Sequence, residues 1–273
     1  VIKAWIEMIH RYLAMTVGAL IVVQLGMAFG KMRSLGKGPV FGSLGLLFLV
    51  CVQGAFGAWT VTLKLQPIIV TIHLMLALVL LAFLTAYAQY AWEDKSLAVR
   101  TIRIRPLSAQ FLALAFVVLF IQVFLGAWVS TNYAVLACPD FPTCLGSAWP
   151  DTNWSEGFTL WRQLGLNAQG EFISPAALQT VHWAHRLFAL LVLLVLGGFG
   201  WRALQLSTPV LSDLKRMAKF LLSLLLLQLI TGISNVIFQW PLLAALLHTA
   251  GSAALVFCLV RMSFWASWKP FIQ

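Results

Sequence analysis

The chain has 273 residues, 61% of them hydrophobic and 10% charged, with a formal net charge of +10. Its mean hydropathy is +0.92. A soluble domain carries about 25% charged residues, so a soluble fold is excluded, and the basic excess reads as membrane topology rather than as a nucleic-acid surface.

Seven apolar stretches are long enough to span a bilayer: 5–29, 40–60, 68–92, 107–130, 178–204, 217–238 and 242–265. Backbone groups in lipid must be satisfied internally, which leaves helices or a closed barrel. Runs such as Leu74 to Leu84 show no two-residue alternation, so helices are predicted. The expected class is an all-α integral membrane protein.

The first span carries Glu7, His10 and Arg11, and the loop after it carries Lys31, Arg33 and Lys37. The second ends in Gln53 and Gly57, and after a short loop with Pro67 the third begins and carries His73. Lys95, Arg100, Arg103 and Arg105 follow the third. The fourth leads into a long loop, 131–177, with Cys138, Cys144, four acidic residues and a single arginine, Arg162. The fifth carries His182, His185 and Arg186, and is followed by Arg202, Lys215, Arg216 and Lys219. The sixth holds Gln228 and Gly232, and after Pro241 the seventh carries His248. Cytoplasmic loops carry the Lys/Arg excess, so residue 1 is expected outside and the C-terminus inside. Trp128, Trp149, Trp154 and Trp161 suit an interfacial aromatic belt.

The chain repeats itself. His10 and His73 lie 63 residues apart, as do His185 and His248, and a shift of 175 maps one pair onto the other. The same shift maps Arg11 onto Arg186, Ala14 onto Ala189, Gln53 onto Gln228 and Gly57 onto Gly232. Two halves of one orientation are expected, 1–106 and 107–273. The span at 107–130 and its outer loop have no counterpart in the first half. The plan therefore predicts eight spans in two pseudo-symmetric four-helix bundles, with seven present here.

Each histidine falls in the outer part of its span, and intramembrane ionisable residues are costly and functional by default. Neutral imidazole ligates transition metals and haem iron. Zinc prefers tetrahedral sets of Cys, His and carboxylate, whereas each half offers two histidines at a shared depth. Bis-imidazole ligation of a haem in each half fits better. Glu7 breaks the symmetry. It sits three residues before His10, where the other half has His182 before His185. A carboxylate beside one cofactor can act as acid, base or orienter. Arg11 and Arg186 follow the ligand histidines, and two roles stay open for them: pairing with haem propionates or snorkelling to headgroups. Cys138 and Cys144 face an oxidising side and read as a structural disulfide. Cys51 and Cys258 read as small core residues.

At Glu7-Met-Ile-His10-Arg11, Gly57 through Pro67 to His73, Cys138-Pro-Asp-Phe-Pro-Thr-Cys144, His182-Trp-Ala-His185-Arg186 and His248-Thr-Ala-Gly, the chain resembles the haem A synthase family. The resemblance implies oxidation of a ring methyl of haem O to a formyl group, giving haem A for haem–copper oxidases. It implies a resident haem b on His185 and His248, substrate haem on His10 and His73, and Glu7 as catalytic carboxylate. It further implies a bacterial plasma membrane, haem O synthase as a partner, an electron partner of unstated identity, and room for a homo-oligomer. Two other classes compete: a dihaem electron-transfer cytochrome, and a haem carrier without chemistry.

Overall fold

The computed structural model describes residues 2–92, 107–206 and 211–267. The basic residues Lys95, Arg100, Arg103 and Arg105 lie outside the described residues. Seven helices among the described residues are long and apolar enough to cross a membrane. Their bounds match the expected spans to within a few residues. The largest difference is at the sixth, which begins at Ser212 rather than 217. The charged residues there end the apolar run without ending the helix. Asp213 in the first turn suits the positive helix end and pairs with Arg216 one turn on.

The chain divides into two compact units, 1–59 and 60–273. In the first, α1 (Ile2–Gly30) is joined through the single turn α2 (Met32–Leu35) to α3 (Gly38–Thr62), whose last residues belong to the second unit. The Gln24 amide of α1 donates to Ser43 Oγ of α3 at 3.2 Å.

The second unit contains α4 (Pro67–Trp92), α5 (Ala109–Thr131), the short α6 (Trp154–Gly157), α7 (Pro175–Gln205), α8 (Ser212–Ile237) and α9 (Leu242–Met262). Helices α5, α7, α8 and α9 pack together, and α4 lies against α5 and α9. Their core includes Leu112, Ala115, Leu119, Leu196, Phe199, Leu221 and Leu259, all nearly inaccessible. Outward faces carry Leu190, Leu194, Leu242 and Leu243, as lipid-facing positions should. Leu107–Ser108 pairs in parallel with Ala266–Ser267, a two-residue ladder joining the start of α5 to the end of the α9 segment.

Helix starts follow local chemistry. Ser108 and Ser174 adopt extended backbone and accept hydrogen bonds from the Phe111 and Ala177 amides, satisfying groups a helix leaves unpaired at its first turn. Pro175 and Pro67 open α7 and α4, where the missing N–H costs nothing.

The duplication extends to backbone geometry. Lys64 and Leu65, between α3 and α4, are consecutive residues with φ of 51° and 58°. Gln239 and Trp240, between α8 and α9, have φ of 55° and 65°. The Leu65 amide donates to the Thr60 carbonyl at 2.8 Å, and the Trp240 amide to the Asn235 carbonyl at 2.8 Å. Each of these residues maps onto its partner by the same shift of 175.

Candidate haem site and its outer loop

His185 on α7 and His248 on α9 face one another across a cavity in the second unit, their ring centroids 6.3 Å apart. Metal–imidazole nitrogen bonds are about 2 Å, and the nitrogen lies roughly 1.1 Å from the ring centre, so two imidazoles on opposite sides of one metal have centroids about 6.2 Å apart. The observed separation fits a single metal held between them. The cavity has a volume of about 310 Å³, at the lower end of ligand sites. Apolar side chains such as Leu193, Leu225 and Leu229 line much of it, and besides the two histidines its polar lining includes His182, Arg186, Gln228 and Asn235. Among the described residues no three His, Cys, Asp or Glu side chains gather around a common point, so the tetrahedral set that zinc favours is not formed there. The donor set fits an iron macrocycle.

Helix packing leaves room for each imidazole at a glycine. A Cβ on Gly126 of α5 would come within 2.9 Å of His185 Cε1. A Cβ on Gly232 of α8 would come within 3.3 Å of His248 Cε1. Four residues before each glycine stands a glutamine that braces the same histidine. Gln122 Nε2 donates to the His185 carbonyl at 3.3 Å, and Gln228 Nε2 donates to the His248 carbonyl at 3.0 Å. Gly251, one turn after His248, lies where a Cβ would collide with Gln228 Nε2. The first of these Gln-x-x-x-Gly pairs was not singled out from sequence, although Gln53–Gly57 and Gln228–Gly232 carry the same spacing. Thr231, whose hydroxyl lies 2.9 Å from His248 Nδ1, was missed as well, since a threonine within a leucine-rich helix gives no signal by itself.

Arg186 has its guanidinium directed at the outer loop. It donates to the carbonyls of Cys138, Asp140 and Thr143 at 2.6–2.9 Å and, through Nε, to His182 Nε2 at 3.2 Å. That uses four of its five N–H groups. His182 itself is 4% exposed. Cys138 and Cys144 form a disulfide, Cα to Cα 4.6 Å. Between them the Asp140 carboxylate accepts from Thr143 Oγ1 and from the Leu145 and Gly146 amides. Those bonds, led by that of Thr143, hold its pKa at about 2, below the usual 3.8. The rest of the loop is pinned by buried Arg162, which donates to Asn132 Oδ1 and the Leu166 carbonyl and lies 5.8 Å from the centre of the Trp128 ring. Trp128 Nε1 in turn donates to the Gly157 carbonyl at 2.9 Å.

The other expected residues stand as follows. Glu7, His10 and Arg11 lie on α1 in the first unit, all exposed there, with Glu7 and Arg11 forming an ion pair one turn apart. His73 lies on α4 in the second unit and is half-buried; the next residue, Leu74, lines the His185–His248 cavity.

A family model described as cytochrome oxidase assembly protein, COX15-CtaA, matches residues 1–260. The chain belongs to the COX15-CtaA family. Proteins named Heme A synthase resemble it along most of its length. That of Shewanella oneidensis is 35% identical over 96% of this chain and 76% of its own. That of Brucella anthropi is 30% identical over 89% of this chain and 65% of its own. One from Halalkalibacterium halodurans is 26% identical over 55% of this chain and 50% of its own. Membership of the COX15-CtaA family accords with the membrane-spanning helices.

Proposed function

We propose that this protein is a haem A synthase, an oxidoreductase of haem biosynthesis that converts a ring methyl of haem O to a formyl group. The observation that carries the reading is the facing His185–His248 pair, at a separation suited to one metal, within a chain whose histidine plan is duplicated. His185 and His248 would hold a resident haem b, which supplies a one-electron redox centre when bound. Glycines leave room for both rings, and glutamine amides hold the backbone carbonyls of the two histidines.

The substrate haem O is assigned to His10 and His73, the pair that the repeat equates with His185 and His248. Glu7 lies three residues before His10 and so on the same helix face. The change from methyl to formyl removes four electrons and takes in one oxygen atom, from water or from dioxygen; in this reading Glu7 would accept a proton as a methyl C–H bond breaks and pass it on to solvent. Arg11 and Arg186 are assigned to the propionate ends; for Arg186 this falls to the one N–H not given to the loop and His182. Haem O synthase is the natural supplier, and the electrons pass to dioxygen or to a redox partner. The basic loops, and a disulfide loop suited to an oxidising compartment, support a bacterial plasma membrane with residue 1 and the 131–177 loop outside. A homo-oligomer is compatible with this scheme.

The test is pigment extraction from membranes expressing the chain with haem O synthase. Haem A beside haem b is expected. Glu7→Ala should keep haem b and slow haem A formation by about 10²- to 10⁴-fold, the usual contribution of a positioned acid–base group. Haem A formed at the unaltered rate would remove Glu7 from the chemistry. Two equivalents of haem b with neither haem O nor haem A would favour the electron-transfer cytochrome.

A further inference from the structure

The two histidines of the cavity are not equivalent in what stands behind them. Thr231 Oγ1 is 2.9 Å from His248 Nδ1 and 2.7 Å from the Leu227 carbonyl, one turn back on the same helix. A hydroxyl has one proton and two lone pairs. A carbonyl can only accept, so the hydroxyl proton is directed at Leu227. The bond to the ring must then run from His248 Nδ1–H to Thr231 Oγ1. This leaves the Nε2 lone pair free, which is the tautomer a metal requires. Thr231 is 4% exposed, so water does not compete for the bond.

His185 has no such hydroxyl. Its Nδ1 is buried and makes no hydrogen bond of ordinary geometry. Both histidines have their backbone carbonyl held by a glutamine amide, and the Thr231 hydroxyl is what His248 has in addition. The repeat puts Phe56 at its equivalent position in the first half, so the hydroxyl belongs to one half of the plan.

We infer that Thr231 is a positioning residue that sets the tautomer of His248 and makes it the more electron-donating of the two imidazoles that would hold a haem. The inference rests on the assignment of a haem to His185 and His248. A hydrogen bond from the distal ring nitrogen raises ligand basicity and fixes ring orientation. A more basic imidazole favours ferric over ferrous iron, so Thr231 lowers the potential of the haem it serves.

The experiment uses the full-length protein purified with its haem. Redox titration of the b-type spectrum, and the rate of haem loss to apomyoglobin, are compared for Thr231→Val, Thr231→Ser and the unaltered chain. Thr231→Val should change the ferric-to-ferrous ratio at fixed potential about tenfold toward ferrous, an upward shift of about 59 mV for a one-electron couple. Haem affinity should fall by about 10- to 100-fold, while Thr231→Ser restores both values. Unchanged potential and haem retention in Thr231→Val overturn the inference but leave the haem assignment standing. Equal shifts in the Ser and Val variants overturn it too, since packing rather than the hydroxyl would then be responsible. A b-type spectrum that survives His185→Ala unaltered would instead sink the haem assignment itself.

Discussion

The turn joining α3 to α4 and the turn joining α8 to α9 have the same backbone, residue for residue: two consecutive left-handed residues closed by a bond between equivalent groups. The side chains around the equivalent histidines are not the same. Glu7 corresponds to His182, and Phe56 to Thr231. Glu7 pairs with Arg11 on its own helix, whereas Arg186, the equivalent of Arg11, reaches across to loop carbonyls 43–48 residues away in sequence. Duplication thus kept the turn that precedes each histidine-bearing helix and released the polar groups around the histidine. A turn between two helices is a poor place for a new function, because one misplaced residue redirects the helix that follows. A side chain beside the cofactor can change without that penalty.

The sharpest way to break this comparison is to remove one ligand from each half. His185→Ala should abolish the b-type spectrum, whereas His10→Ala should leave that spectrum intact and stop haem A formation. Difference spectra of the two purified variants check this, and loss of the b-type spectrum in both would deny the halves separate roles. A smaller effect is expected at the glycines. The added methyl of Gly126→Ala meets His185 at 2.9 Å, and that of Gly232→Ala meets His248 at 3.3 Å. Overpacking costs about 1–3 kcal/mol, and each 1.4 kcal/mol is about a tenfold change in an equilibrium. Gly126→Ala should therefore weaken haem b retention by roughly tenfold or more, and Gly232→Ala by less, because its neighbour needs to give only a few tenths of an ångström. Haem titration of the apo-variants orders the two, and the reverse order would mean that the His248 side is the tighter pocket.

The helices and the histidine pairs were legible in the sequence for different reasons. The spans follow from uninterrupted apolar runs whose length the bilayer fixes. The histidines follow from repetition, which makes two weak signals one strong one. Gln122 and Gly126 escaped because residues 107–177 have no second copy within the chain against which to compare them. The left-handed pairs escaped because Lys64-Leu65 and Gln239-Trp240 contain neither glycine nor asparagine, the residues that usually announce such backbone. At both turns the left-handed pair is closed by a backbone bond, Leu65 to Thr60 and Trp240 to Asn235, that needs no particular side chain. The target of Arg186 was beyond a pattern reading too. How many of its N–H groups an arginine has left for a propionate depends on how the segment between Cys138 and Cys144 folds back over α7, whose loop carbonyls here take three of them. That in turn depends on one carboxylate, Asp140, collecting two amides and a hydroxyl.

The smallest expected effect concerns that carboxylate and tests whether the loop is an independent device of the second half. Asp140 titrates at about 2 in the folded loop, against 3.8 ordinarily. A depressed carboxylate pKa means that its stabilisation is complete above the ordinary value and is lost as pH falls toward the folded one. The loop should therefore hold its shape unchanged at neutral and mildly acidic pH and loosen only as pH drops from 3.8 to about 2. The rate at which a phosphine reduces the Cys138–Cys144 bridge reports this. It should be flat at higher pH and rise through that window in the unaltered protein. In Asp140→Ala it should already be raised at neutral pH and show no step in the window. Because Arg186 binds the backbone of the same loop, the b-type spectrum is expected to shift slightly as the loop opens. A loop that opens with no spectral change would mean that the arginine holds the loop without passing its position on to the haem site.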